Sequence, residues 1–179
     1  MAEKEVPVRK DELVISKTDL KGKITYANRS FMRISNFAEP EFLNRPHSII
    51  RHPDMPRGVF YAVWKELQAR REFFGLIKNY TRDKNYYWVF ANITPDFVGD
   101  QVVGYFSVRR YAPRDALKVI EPIYSQMRAK EKSMSSSKAP EASWCWLTEM
   151  IQEQHHLSYN EFILNLYHEQ LAGEGYAYK

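Results

Sequence analysis

Three ionisable side chains, Arg51, His52 and Asp54, stand in the stretch IIRHPDMPRGVFYAVW (49–64), set off by Pro53 and Pro56. Proline fixes its own φ and drives the preceding residue out of the helical region, so His52 and Met55 sit on a stiff turn. Four chemistries suit such a trio. The plainest is capping: Asp54 at the entrance of the helix that follows Pro56, Arg51 paired with it and His52 packed. General-base catalysis needs a partner within hydrogen-bond reach, and none stands at recognisable spacing. A metal site needs more ligands, and His47, His52, His155, His156 and His168 fall into no ligand motif. The fourth is the wall of a ligand pocket.

A pocket also needs polar anchors. Asn79, Asn92 and Ser107 fall on three separate strand-like runs. A buried strand amide costs stability unless both its donors and its acceptor are met, and a planar heterocycle with a mixed edge meets them. Bonds to neighbouring loops or to solvent satisfy the same amides equally well. The aromatics Phe73, Phe74, Tyr86, Tyr87, Trp88 and Phe90 are expected mainly as core, with one or two available to wall a ring system. There is no GxSxG elbow, Walker loop or GxGxxG, and Cys145 lies between two tryptophans away from these runs. An enzyme is not expected.

The elements that position these residues are readable from pattern. ELVISKTD and KITYAN, joined by LKGK with Gly22, form a hairpin. RSFMRISNF and EPEFLNR are short helical pieces. After Pro56, Phe60, Val63, Trp64 and Leu67 recur at helical spacing, with Arg70 and Arg71 expected in the last turn. FFGLIKNYT, NYYWVFANIT and QVVGYFSVRRYA read as strands, linked by RDK and PDFVGD. The sum is α+β with an antiparallel sheet. RDALKVIEPIYSQMRAKEK is helical, with Pro122 expected to kink or restart it. A polar linker and two more helices follow, with a Ser158–Glu161 capping box and a stop at Gly173. The boundaries are a tail at 1–10, a main domain at 11–114, a connecting helix at 115–132, a linker at 133–143 and a C-terminal helical segment at 144–179.

Composition narrows the function classes. The chain has 179 residues, 44% hydrophobic and 15% aromatic, as a packed core requires. Its net charge of +4 is spread in both signs, without the basic block expected of a nucleic-acid binder. No apolar run approaches the roughly 18 residues that span a bilayer. One cysteine and no apolar leader point to a cytoplasmic setting.

The order hairpin, ITYANRSFMRIS, PHSIIRHPDMP, helix with Trp64, GLIKN, YYWVFANITP and VVGYFSVRR resembles a PAS domain. More narrowly, it resembles the flavin-binding PAS domains of bacterial aerotaxis and energy-taxis receptors. The resemblance implies a PAS fold: a five-stranded antiparallel sheet with short helices over one face, here followed by C-terminal helices. It implies non-covalent FAD, with Arg51, His52 and Asp54 in the family's cofactor motif. Asn79 and Asn92 correspond to strand amides at the flavin edge; Asn28, Trp64, Phe73 and Trp88 complete the expected set. Phe73 stands where relatives often carry Trp, RDKN lacks the usual turn glycine, and no cysteine suits the light-driven adduct. The resemblance further implies a redox or oxygen sensor that signals to a methyl-accepting chemotaxis-type transducer in trans, or to a second copy. Haem, with His47 or His52 as axial ligand, and a cofactor-free adaptor are the alternatives.

Overall fold

The computed structural model describes residues 3–173, which divide into two compact units: Met1–Pro53 with Glu66–Tyr111, and Asp54–Lys65 with Ala112–Lys179. The first unit holds strands β1 (Val14–Thr18), β2 (Ile24–Ala27), β3 (Phe73–Tyr80), β4 (Tyr86–Val98) and β5 (Gln101–Tyr111). They form one antiparallel sheet in the order β2-β1-β5-β4-β3. Helices α1 (Arg29–Ser35) and α2 (Glu39–Phe42) and a 3-10 turn (His47–Ile50) connect β2 to the motif at 51–56. The α+β class and the five-stranded antiparallel sheet are as expected.

Local chemistry explains the turns. Gly22 takes φ 76°, and Asp19 Oδ1 accepts from the amides of Lys21 and Lys23, both at 2.9 Å. In RDKN the left-handed position falls to Lys84, at φ 62°. That conformation costs a non-glycine residue about 1–2 kcal/mol. It is offset locally, because Thr81 Oγ1 donates to Asp83 and accepts from the Asn85 amide.

Three boundaries differ from expectation. PDFVGD is not a loop: β4 runs through Pro95 to Val98, and only the turn at Gly99 (φ 60°) and Asp100 separates it from β5. Proline is tolerated there because β3 pairs no farther along β4 than Ile93, so no second neighbour needs the missing amide. Within the expected tail, Lys4, Glu5 and Val6 pair with the sheet at Tyr86. The Val6 amide donates to the Tyr86 carbonyl at 2.7 Å, and the Tyr86 amide to the Lys4 carbonyl at 3.0 Å. Helix α3 (Arg57–Gln68) ends before Arg70, which is left-handed at φ 61° and past the helix end.

The second unit is built from the start of α3, α4 (Arg114–Lys132), α5 (Ala139–His155) and α6 (Tyr159–Gly173). Helix α4 continues through Pro122, and α5 begins at Ala139, so the linker shrinks to a turn at 133–138. Ser158 and Glu161 form the expected capping box; the stop after Gly173 lies outside the described residues. Ile120, Tyr124, Met127, Leu147, Ile151 and Ile163 are fully buried and form this unit's core. Each such side chain removed from water contributes about 1.5–3 kcal/mol.

The leading amides of α3 go to a carboxylate other than Asp54. The first amides of the helix, on Arg57 and Gly58, donate to Glu131 of α4 at 3.0 and 2.8 Å. Glu131 is buried, and Ser143 of α5 donates to the same carboxylate at 2.7 Å. Asp54 instead pairs with Arg128 of α4. One carboxylate therefore satisfies orphan amides of α3 and ties three helices together. Gly58 permits the approach, since a Cβ there would stand 2.3 Å from Ser143 Oγ and 2.8 Å from the Pro140 carbonyl.

Replacing Glu131 by Ala strands two helix-end amides and leaves the Ser143 hydroxyl only the Pro140 carbonyl, at an expected cost of about 2–4 kcal/mol in denaturant unfolding. Glu131→Gln keeps one acceptor and is expected to lose about half as much. Equal stability of E131A and the parent protein contradicts the capping role.

Candidate functional site

Side chains alternate across a strand, so register assigns each residue to a face. Asn79 pairs with Tyr87, Ile77 with Val89 and Phe73 with Ile93, which puts Phe73, Asn79 and Tyr87 on one face. The β4–β5 register adds Ser107 and Arg109 to that face, and the β1–β5 register adds Ser16. Trp88 and Asn92 point to the other. The two expected flavin amides are therefore on opposite faces, and Asn92 Nδ2 is engaged with Glu72 at 3.0 Å. Asn79 is 3% exposed.

The turn before α3 is fastened to this region. Arg51 forms an isolated antiparallel bridge with Asn79, closing the motif onto the open edge of β3. His52 is buried; its Nε2 lies 3.0 Å from Glu3 Oε2, and its ring is 4.2 Å from that of Tyr80. Glu3 also accepts from the Tyr80 hydroxyl at 2.7 Å, and this bond, with that to His52, holds its carboxyl below the usual range. Arg51 itself is exposed. So Arg51, His52 and Asn79 come together in the first unit, with Phe73 at the far end of β3. Asn28 is occupied with holding the backbone. Its Oδ1 accepts from the Phe31 and Ile15 amides at 3.0 and 3.1 Å, and its Nδ2 donates to the Leu13 carbonyl. Asp54 and Trp64 belong to the second unit, where the buried stripe of α3 is Val59, Ala62 and Val63, and Trp64 is 36% exposed.

The most unusual feature was not foreseen. Arg109 is 3% exposed, in mid-strand, and no described carboxylate pairs with it. Its Nη2 donates to His47 Nε2 at 2.6 Å and to Ser16 Oγ at 3.0 Å; Ser16 Oγ is 3.1 Å from the same His47 nitrogen. His47 thus serves as a neutral acceptor. Desolvation and the adjacent guanidinium push its pKa well below 6.5. Burial lowers Arg109 itself to about 10, and raises the Tyr87 phenol. On the same face, Asn79 Nδ2, Tyr87 Oη, Ser107 Oγ and Arg109 Nη1 are buried with no hydrogen-bond partner. Unpaired buried polar atoms each cost about 1–3 kcal/mol. Four such atoms, mostly donors, lie on this one sheet face. Ser107 was flagged by its strand, whereas Arg109 and Tyr87 required the alternation to be counted: 107, 109 and 111 share a face.

Such donors fit a flat, acceptor-rich group such as a flavin ring edge. Among the described residues no cluster of His, Cys, Asp and Glu is arranged to hold a metal, and no helix is long and apolar enough to cross a membrane.

Residues 24–107 match the PAS fold family. This segment is a PAS domain. The chain is similar to the aerotaxis receptor of Escherichia coli (strain K12), at 31% identity over 147 residues, 82% of this chain and 29% of the receptor. It is also similar to the nitrogen fixation regulatory protein of Klebsiella pneumoniae, 32% identical over 88 residues, 49% of this chain and 18% of that protein. The chain thus spans less than a third of the length of these curated relatives. Among solved structures, a light-oxygen-voltage domain studied with a flavin analogue shares the fold at 24% identity and TM-score 0.54, over 60% of this chain and 82% of its own. The PAS domain is therefore of a kind similar to that of an aerotaxis receptor.

Because His47 is held neutral, protonation of the unfolded chain below pH 6.5 opposes folding. Stability is expected to fall as the pH drops below 6.5, with a slope of up to about 1.4 kcal/mol per pH unit. His47→Gln should flatten that segment of the denaturation profile. An unchanged slope in H47Q contradicts a neutral His47.

Proposed function

We propose that this PAS domain binds FAD non-covalently and reports its redox state to a signalling partner. The observation that carries the reading is the set of four unpaired buried polar atoms on one sheet face. Similarity to an aerotaxis receptor supports it. The flavin supplies reversible electron uptake. The chain's own residues would supply binding: Asn79, Tyr87 and Arg109 offer hydrogen bonds to the ring edge, Ser107 and Phe73, six residues along the register from Asn79, offer contacts to the rest of the cofactor, and exposed Arg51 suits the diphosphate.

Protonation of the ring edge changes with redox state, and an amide can answer by exchanging donor for acceptor. Asn79 is the residue suited to that exchange; Asn92, bonded to Glu72 on the opposite face, is not. Asn79 pairs across β3 with β4, β4 pairs with β5, and β5 leads through Ala112 and Pro113 into α4. A shift of this ladder is the proposed output, read in the cytoplasm by a methyl-accepting chemotaxis-type transducer or by a second copy. The domain acts by binding, not by catalysis.

Haem is less well supported, since the Nε2 atoms of His47 and His52 are both already hydrogen-bonded. A cofactor-free adaptor leaves the four donors without purpose.

Two substitutions test the face assignment. Asn79→Ala is expected to weaken FAD binding about three- to tenfold, the worth of one neutral hydrogen bond. Asn92→Ala should retain FAD within about twofold by the same measure. Loss of FAD in N92A with retention in N79A contradicts the site.

A further inference from the structure

We infer that Arg109 is the charge counterpart of reduced flavin: the buried guanidinium favours the cofactor once it carries negative charge, and so raises its reduction midpoint. This rests on the FAD reading above.

Arg109 sits in the interior with one of its two terminal nitrogens held by His47 and Ser16, both neutral, and the other, Nη1, unpartnered. A buried guanidinium without an anion is costly, and proteins normally supply a carboxylate. Here none of the described carboxylates does. On that face Arg109 is flanked by Ala91 of β4 and Val14 of β1, with Ser107 and Tyr111 two residues along β5 and the Tyr87 phenol close enough to interact, none of them acidic. The protein therefore holds a positive centre that is better satisfied when its ligand is negative.

The diphosphate is a poor candidate for that role. Its two charges would enter a face with a single cation, whereas exposed Arg51 offers a wet contact. The ring is different. Oxidised flavin is neutral at the ring, and uptake of two electrons from an external donor with one proton leaves one delocalised negative charge there. One charge meets one guanidinium. Nη1 supplies the donors, while His47 and Ser16 fix the guanidinium plane so that no reorganisation is needed on reduction. His47 is suited to this role only while neutral, because a second cation would repel Arg109. Its depressed pKa keeps it so at ordinary pH.

The test is the midpoint of the FAD-loaded full chain, measured by dye equilibration with dithionite as reductant, against free FAD in the same buffer. The wild-type midpoint is expected above that of free FAD. Arg109→Met should reduce the preference for reduced over oxidised FAD at least tenfold, which lowers the midpoint by about 30 mV for two electrons. Arg109→Lys, which keeps the charge, should lose less. A wild-type midpoint at or below that of free FAD overturns the inference without recourse to any variant. So does an R109M protein that binds both redox forms more weakly by the same factor, since that pattern assigns Arg109 to the diphosphate. In both cases FAD is bound and the flavin reading stands. A wild-type chain that binds no FAD overturns that reading, and this inference with it.

Discussion

The cost of keeping Arg109 inside the sheet is the constraint around which the sensor unit is organised. A guanidinium in a dry interior must be given acceptors. The chain supplies a histidine from the 3-10 turn and a serine from β1, so elements far apart in sequence converge on one side chain. That convergence forces His47 to be neutral and fixes β1 beside β5 with Ser16 opposite Ser107. It leaves half of the guanidinium unmet. A protein selected only for stability would have placed a carboxylate or an aliphatic residue there. An unmet cation on the same face as an unpaired amide, phenol and hydroxyl is what the proposed ligand site accounts for.

The second unit follows a contrasting logic, because its charged groups at the start of α3 are answered within the unit. Glu131 takes the leading amides of α3 and the Ser143 hydroxyl, Arg57 stands 3.7 Å from it, and Asp54 is paired with Arg128. The proline-flanked motif therefore contributes to both units. Arg51 bridges to Asn79 in the sensor unit, and Asp54 joins the helical unit through α4. Two prolines stiffen the backbone of 52–56 between these attachments.

Much of this was legible in the sequence because local rules governed it. The hairpin at Gly22, the three long strands, the Ser158–Glu161 box and the apolar α5 and α6 faces each follow from a period or a turn residue. What was not legible depended on partners distant in sequence. Asp54 is a good capping residue by type, yet a buried Glu131 some 70 residues later takes the amides and displaces it. PDFVGD reads as a loop from its proline and glycine, but strand pairing overrides that composition where β3 has ended. Trp64 completes a helical period and still faces outward, because the buried stripe is turned toward Val59 and Ala62. Asn79 and Asn92 share a residue type and lie on neighbouring strands, but only the register reveals that they point apart. Arg109 was hidden in plain composition, since an arginine in a strand reads as a solvent-facing residue until alternation is counted.

The proposed occupation of the donor-rich face by a flavin would give these features a common purpose. It is tested most directly by the visible absorption spectrum of the freshly purified chain before and after dithionite, with identification of the chromophore released on heating. A two-banded yellow spectrum that bleaches on reduction, with release of FAD, is expected. A Soret band, or a colourless protein that also refuses added FAD, contradicts a flavin on this face.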